Sequence, residues 1–233
     1  MTADDGPRDV AGILELADWR RAVAALYVEV RRLAATDPAA ALAHWRKTRQ
    51  SLFRDHPQSP VLAGERTSFR ARHFKHDPAL RFEVVVEPPP EEGQPAPPGL
   101  GGFGAAGGLG SLSIELPVSV GGVMSFSRVG TVTVPFAAGA RRLELYWMAG
   151  YAGGLFLPFR DATNGTETYG AGRYLLDAAK SADLGPGREP GTLVLDFNFA
   201  FQPSCAFDPK YACPLSPPAN RLDLPVRAGE RLA

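Results

Sequence analysis

Between Phe159 and Leu175 the sequence reads FRDATNGTETYGAGRYL, which places Arg160, Asp161, Asn164, Glu167, Tyr169 and Arg173 within fourteen positions. An arginine grips a carboxylate or phosphate with two parallel N–H bonds, so Arg160 and Arg173 suit an acidic ligand. A carboxylate accepts a proton, so Asp161 or Glu167 suits a general base, with Arg173 steadying developing negative charge. Two cations and two anions in one loop also have a plainer use, which is to pair with each other and fix its shape. A second constellation lies in DFNFAF, residues 196–201. On a strand, Asp196 and Asn198 share one face while Phe197 and Phe199 share the other. The ligand-binding set expected from these residues is Arg160, Asn164, Tyr169, Arg173, Asp196 and Asn198. It requires the loop and the strand to meet over a common hollow.

The chain has two cysteines, Cys205 and Cys213, in the proline-rich run QPSCAFDPKYACPLSPP. A zinc site wants close pairs such as C-x-x-C plus two further ligands, and this spacing lacks them, so no metal is expected. A reactive thiol needs a neighbouring charge or histidine to lower its pKa, and His56, His73 and His76 are the histidines weighed for that role. A disulfide between Cys205 and Cys213 closes a nine-residue loop, which stabilises by about 2.6 kcal/mol in the chain-entropy account. An irregular segment benefits from such a staple, and the disulfide is preferred here over two reduced, buried thiols. The opposing consideration is location. The N-terminus MTADDGPRDV is acidic and lacks an apolar secretory core, so the cytoplasm is expected, where thiols stay reduced.

The elements that must position these residues change period along the chain. Residues 13–35 space Leu16, Trp19, Val23, Leu26, Tyr27, Val30 and Leu33 as one helical face. TDPAA then supplies Asp37 as N-cap and Pro38 at the first helical position of a second helix carrying Leu42, Trp45, Leu52 and Phe53. After residue 80 the sequence turns to short β-branched and aromatic runs: RFEVVVE, SLSIELPV, VMSFSR, GTVTVPF, RRLELYWMA, GLFLPF, RYLLD and TLVLDFNF. FAAGARRLEL reads as a hairpin joining the fourth run to the fifth. After residue 111 no gap reads as a crossover helix, so the sheet is antiparallel. The expected class is α+β, mainly β: a barrel or sandwich preceded by a pair of helices. The boundaries are 1–60 for the helical element and 61–233 for the β domain, with a Gly/Pro-rich, mobile insertion at 88–110.

Composition narrows the function classes. Lysine plus arginine and aspartate plus glutamate each total 25 in 233 residues, so no global field draws the chain to nucleic acid or an anionic membrane. No apolar run approaches the roughly 18 residues that span a bilayer. GLGGFG sits inside the Gly/Pro insertion, with no strand before it and no helix after it, so it is not a dinucleotide fingerprint. Neither a Walker loop, an H-E-x-x-H helix nor a G-x-S-x-G elbow occurs. No cofactor is expected, and the oligomeric state is open.

The segments DWRRAVAALYVEVR, HWRKTRQSLFRDHPQSP, HDPALRFE, GLFLPFRDATNGTETYGAGRYL and LVLDFNFAFQPSCAFDPKYACPLSPPANRL together resemble a prokaryotic family of proteins of unknown function, DUF1684. The resemblance runs over nearly the whole chain outside the Gly/Pro insertion. It points to Arg160, Asp161, Asn164, Glu167, Thr168, Tyr169, Gly170, Gly172, Arg173 and Tyr174, and to Asp196, Asn198, Pro203, Cys205, Cys213, Pro214, Asn220 and Leu222. Gln202, Phe207 and Ala219 depart from it, standing where Asn, Tyr and Glu are expected. The family supplies no activity. Three functions therefore stand: a small-molecule binder with Tyr146, Trp147 and Tyr169 as stacking surface; a hydrolase or isomerase using Asp161 or Glu167; and a non-catalytic interaction module in which the polar loop braces the fold.

Overall fold

The computed structural model describes residues 9–89, 113–148 and 153–232. The GLGGFG stretch and all but two residues of the Gly/Pro insertion lie outside them. The chain divides into two compact units, Met1–Phe69 and Arg70–Ala233.

In the first unit, helix α1 spans Val10–Ala34 and α2 spans Pro38–Asp55. The Asp37 carboxylate accepts from the Ala40 N–H and Pro38 opens the helix, as the sequence requires. Trp45 Nε1 donates to the Tyr27 hydroxyl at 3.1 Å, and Trp19 stacks on Phe53 at 6.0 Å between centroids. The inward face of α1 narrows to Leu26, Tyr27 and Val30, and Leu16 is exposed.

Among the described residues the second unit holds nine strands: β1 (Arg72–His73), β2 (Arg81–Glu87), β3 (Ser113–Pro117), β4 (Val123–Phe136), β5 (Gly139–Met148), β6 (Leu155–Phe159), β7 (Arg173–Asp177), β8 (Thr192–Asp196) and β9 (Glu230–Arg231). All strand pairings are antiparallel. Seven of the strands form one sheet in the order β7-β6-β5-β4-β2-β8, with β3 added on β4, and β1 pairs β9 separately. The large sheet curls into a half-barrel around Leu143, Leu145, Leu157, Phe159, Leu195 and Phe197.

Two irregularities interrupt the ladder. VMSFSR and GTVTVPF form one strand, β4, whose register shifts between Arg128 and Gly130. A Cβ on Gly130 would lie 2.4 Å from the Glu87 carbonyl oxygen, so only glycine lets β2 approach there. The second shift, between Leu157 and Pro158 on β6, falls where proline has no N–H to give the ladder. The run TLVLDFNF is not one strand. It leaves the sheet at Asp196 and turns through a 3-10 helix at Phe197–Phe199, because the Asp196 carboxylate captures the Asn198 N–H.

Candidate functional site

The polar turn after β6 is built on Asp161. Its Oδ1 accepts from the N–H and hydroxyl of Thr163, at 3.2 and 2.6 Å, closing a local turn. Its Oδ2 accepts from Arg173 Nη2 at 3.0 Å and from the Val226 N–H at 2.8 Å. Arg173, the first residue of β7, also donates to the carbonyls of Val226 at 2.8 Å and Glu230 at 3.2 Å, and to that of Ala228. The pair is entirely enclosed, with both side chains at 0% exposure. The guanidinium lies 5.1 Å from the Phe159 ring centroid and 5.9 Å from that of Phe74. Burial pulls the Arg173 pKa down, and Asp161 opposes that pull. An enclosed pair with this many hydrogen bonds fixes structure, and it leaves Arg173 no Nη donor pointing at solvent.

The rest of the turn follows the same plan. Asn164 Oδ1 accepts from the Asp161 N–H at 2.6 Å, while Nδ2 donates to Thr168 Oγ1 and the Tyr169 carbonyl. Gly172 has φ +106°, and a Cβ there would meet the Phe159 carbonyl at 2.6 Å. Two charged groups face outward. Arg160 donates to the Gly170 carbonyl, and Glu167 pairs with Arg227, which holds the Glu167 carboxyl below its ordinary range.

Asp196 and Asn198 are buried and fully engaged. Asn198 Nδ2 donates to the Asp77 carbonyl at 2.7 Å and to Asp196 Oδ1 at 2.8 Å, while its Oδ1 accepts from the Asp77 N–H at 2.9 Å. Asp196 also meets Arg81 at 3.3 Å. The expected strand geometry is therefore replaced by a tether between the 3-10 turn and the segment before β2. The two clusters approach each other across rings: Phe159 stacks on Arg173 and packs edge-to-face on Phe197 at 5.3 Å. What they share is packed aromatic core. Tyr146 is core as well. It is fully buried, and its hydroxyl donates to Glu144 at 2.6 Å, so of the three expected stacking aromatics it presents no surface.

In the structure Cys205 and Cys213 are both buried and carry no bond to each other. They are nevertheless neighbours: the Cys205 N–H donates to Cys213 Sγ at 3.2 Å. Cys213 is pinned to the segment after β3 through Ser119, whose N–H meets the Cys213 carbonyl and whose hydroxyl accepts the Cys213 N–H. Tyr169, half-buried at the end of the polar turn, is among the groups that pull the Cys205 pKa down. Among the described residues no group of three or more His, Cys, Asp or Glu gathers for a metal ion, and no helix is long and apolar enough to cross a membrane.

Comparison with known proteins matches the family model "Protein of unknown function (DUF1684)" over residues 69–231, which is most of the chain and nearly all of the β unit. The chain belongs to this family. The solution NMR structure of an uncharacterized protein of Haloarcula marismortui is similar to this DUF1684 chain, with 30% identity and a TM-score of 0.54, covering 83% of this chain and 93% of that one. No curated protein matches.

The three departures suggested by the DUF1684 resemblance fall in different surroundings. Gln202 is buried, its N–H donating to Glu230 Oε2 at 2.8 Å. Phe207 is half-buried, and Ala219 is exposed on the 3-10 turn Pro218–Asn220, so the missing carboxylate is a surface one. Sequence reasoning gave no part to the C-terminal segment, which supplies Val226, Ala228 and Glu230 to the arginine. It also passed over Ser119 and the arginines of β1 and β9. These are long-range partners, and no local pattern announces them.

Proposed function

We propose that this DUF1684 β unit binds a small acidic molecule, and that the grip comes from Arg72 and Arg231 in place of the buried Arg173. The supporting observation is register. Arg72 lies directly opposite Arg231 in the β1–β9 ribbon, and both are exposed. Like charges directly opposite in an antiparallel pair repel. The Arg72 side chain has no ion pair or hydrogen bond among the described residues, and the Arg231 guanidinium rests on the Phe74 ring at 5.2 Å. A polycarboxylate placed between the two guanidiniums removes the repulsion and accepts paired N–H bonds. The base-catalysis reading has less support, because both Asp161 oxygens already hold two donors each and Glu167 is tied to Arg227.

The test is a thermal-shift titration with citrate and with inorganic phosphate at constant ionic strength. Citrate should raise the melting temperature of the native protein. Arg72→Ala should abolish that rise while leaving the unliganded protein as stable or slightly more so. Equal stabilisation of both proteins by citrate would remove these arginines from the site.

A further inference from the structure

Going beyond that reading, we propose that Cys205 and Cys213 are a redox-active dithiol, in which Cys205 reduces hydrogen peroxide and Cys213 resolves the resulting sulfenic acid as a reversible disulfide. The geometry carries the assignment. The two thiols are free, and Cys205 N–H to Cys213 Sγ contact at 3.2 Å holds the second sulfur against the first residue's backbone. The 3-10 turn Ser204–Ala206 is followed by Phe207 N–H and Asp208 N–H bonds to the Ser204 carbonyl, while the Cys213 side is fixed by Ser119 and by the Val118–Pro214 bridge.

The donors around Cys205 suit a thiolate. Hydrogen bonding with Cys213, Ser119 and Tyr169 favours the charged form of its sulfur. The single Ser119 proton serves either that sulfur or the Tyr211 carbonyl at 2.7 Å. These donors outweigh desolvation and lower the Cys205 pKa to about 6, whereas the Cys213 thiol is pushed up, since it donates to its neighbour and is buried. The other titratable groups around the pair are Tyr169, raised to about 12 chiefly by burial, Tyr174, raised by burial, and Lys180, which acts on Cys213 from the turn after β7. One thiol is thus the nucleophile, and the other keeps its proton to give away.

The step balances. The Cys205 thiolate attacks one peroxide oxygen, the O–O bond breaks, and the departing oxygen leaves as water after taking a proton, giving a sulfenic acid. The Cys213 sulfur then attacks the sulfenic sulfur as its own proton goes to the leaving oxygen, the S–O bond breaks, and a second water departs. Two thiols supply two electrons and the peroxide is reduced to two waters. Cys205 is only 7% exposed and Cys213 5%, so the oxidant must be small.

The experiment treats the reduced full-length protein with hydrogen peroxide, and in parallel with oxidised glutathione, followed by intact mass and thiol counting. Peroxide should remove both thiols and lower the mass by two hydrogens, and dithiothreitol should restore them. Glutathione disulfide should react far more slowly, and reaction at a peroxide-like rate would overturn the assigned oxidant. In Cys213→Ser, which keeps a hydroxyl donor, a dimedone adduct should appear on Cys205. Tyr169→Phe, which keeps the ring, should slow the reaction several-fold. The native rate should rise through about pH 6 and level off above it, because the lowered pKa populates the thiolate above that value. Two intact thiols after peroxide, or an adduct that forms on Cys213 in Cys205→Ser as readily as on Cys205 in Cys213→Ser, would sink the proposal.

Discussion

At the scale of single residues, Arg173 illustrates how a side chain that looks chemical becomes structural. It is fully buried, paired with Asp161 and bonded to three backbone carbonyls. Removing one partner of such a pair leaves an uncompensated buried charge, which costs about 3–5 kcal/mol. Arg173→Leu should therefore lose most of the stability of the β unit, seen as a large fall in the urea midpoint. Glu167→Gln breaks only a surface pair with Arg227, whose partners are 29% and 60% exposed, and should shift the midpoint by less than about 1 kcal/mol. A comparable fall in both variants would contradict the bracing role of Arg173. The residue types in FRDATNGTETYGAGRYL were legible as a polar cluster. Their burial was not, because the three carbonyls that enclose Arg173 lie more than fifty positions away.

At the scale of elements, the turn works only because its backbone can double back at Gly172. With φ at +106° and the Phe159 carbonyl 2.6 Å from where a Cβ would sit, an L side chain is excluded twice, by conformation and by space. Gly172→Ala should destabilise by about 1–3 kcal/mol, and hydrogen exchange should show lost protection at Arg173 and Tyr174, the start of β7. Unchanged protection there would mean that the turn relaxes without disturbing the strand. The pair of helices, the Asp37 cap and the antiparallel strands could be read from period and punctuation. What could not be read were the departures from period. β4 runs through its glycine because Gly130 accommodates β2, and β8 ends at Asp196 because a carboxylate two residues before Asn198 favours a local turn over another rung of the ladder.

At the scale of the whole β unit, the C-terminal segment closes the structure by running beside the polar turn. Arg160 pairs with Leu222, Ala162 with Leu224, Asp161 with Val226, and Glu167 with Leu232, through backbone or carboxylate bonds. Within the same segment, Glu230 satisfies the Gln202 N–H. Ending the chain after Pro225 would take away every carbonyl that Arg173 uses and one donor of Asp161 while leaving both charges in place. That variant should show no cooperative urea transition. Ending it after Glu230 keeps the Val226, Ala228 and Glu230 carbonyls but deletes Arg231. This shorter deletion should still unfold cooperatively, and it should lose the stabilisation by citrate. If the first truncation melts cooperatively like the full chain, the buried pair does not depend on this segment. If the second keeps its response to citrate, the acidic ligand sits elsewhere than on the β1–β9 ribbon.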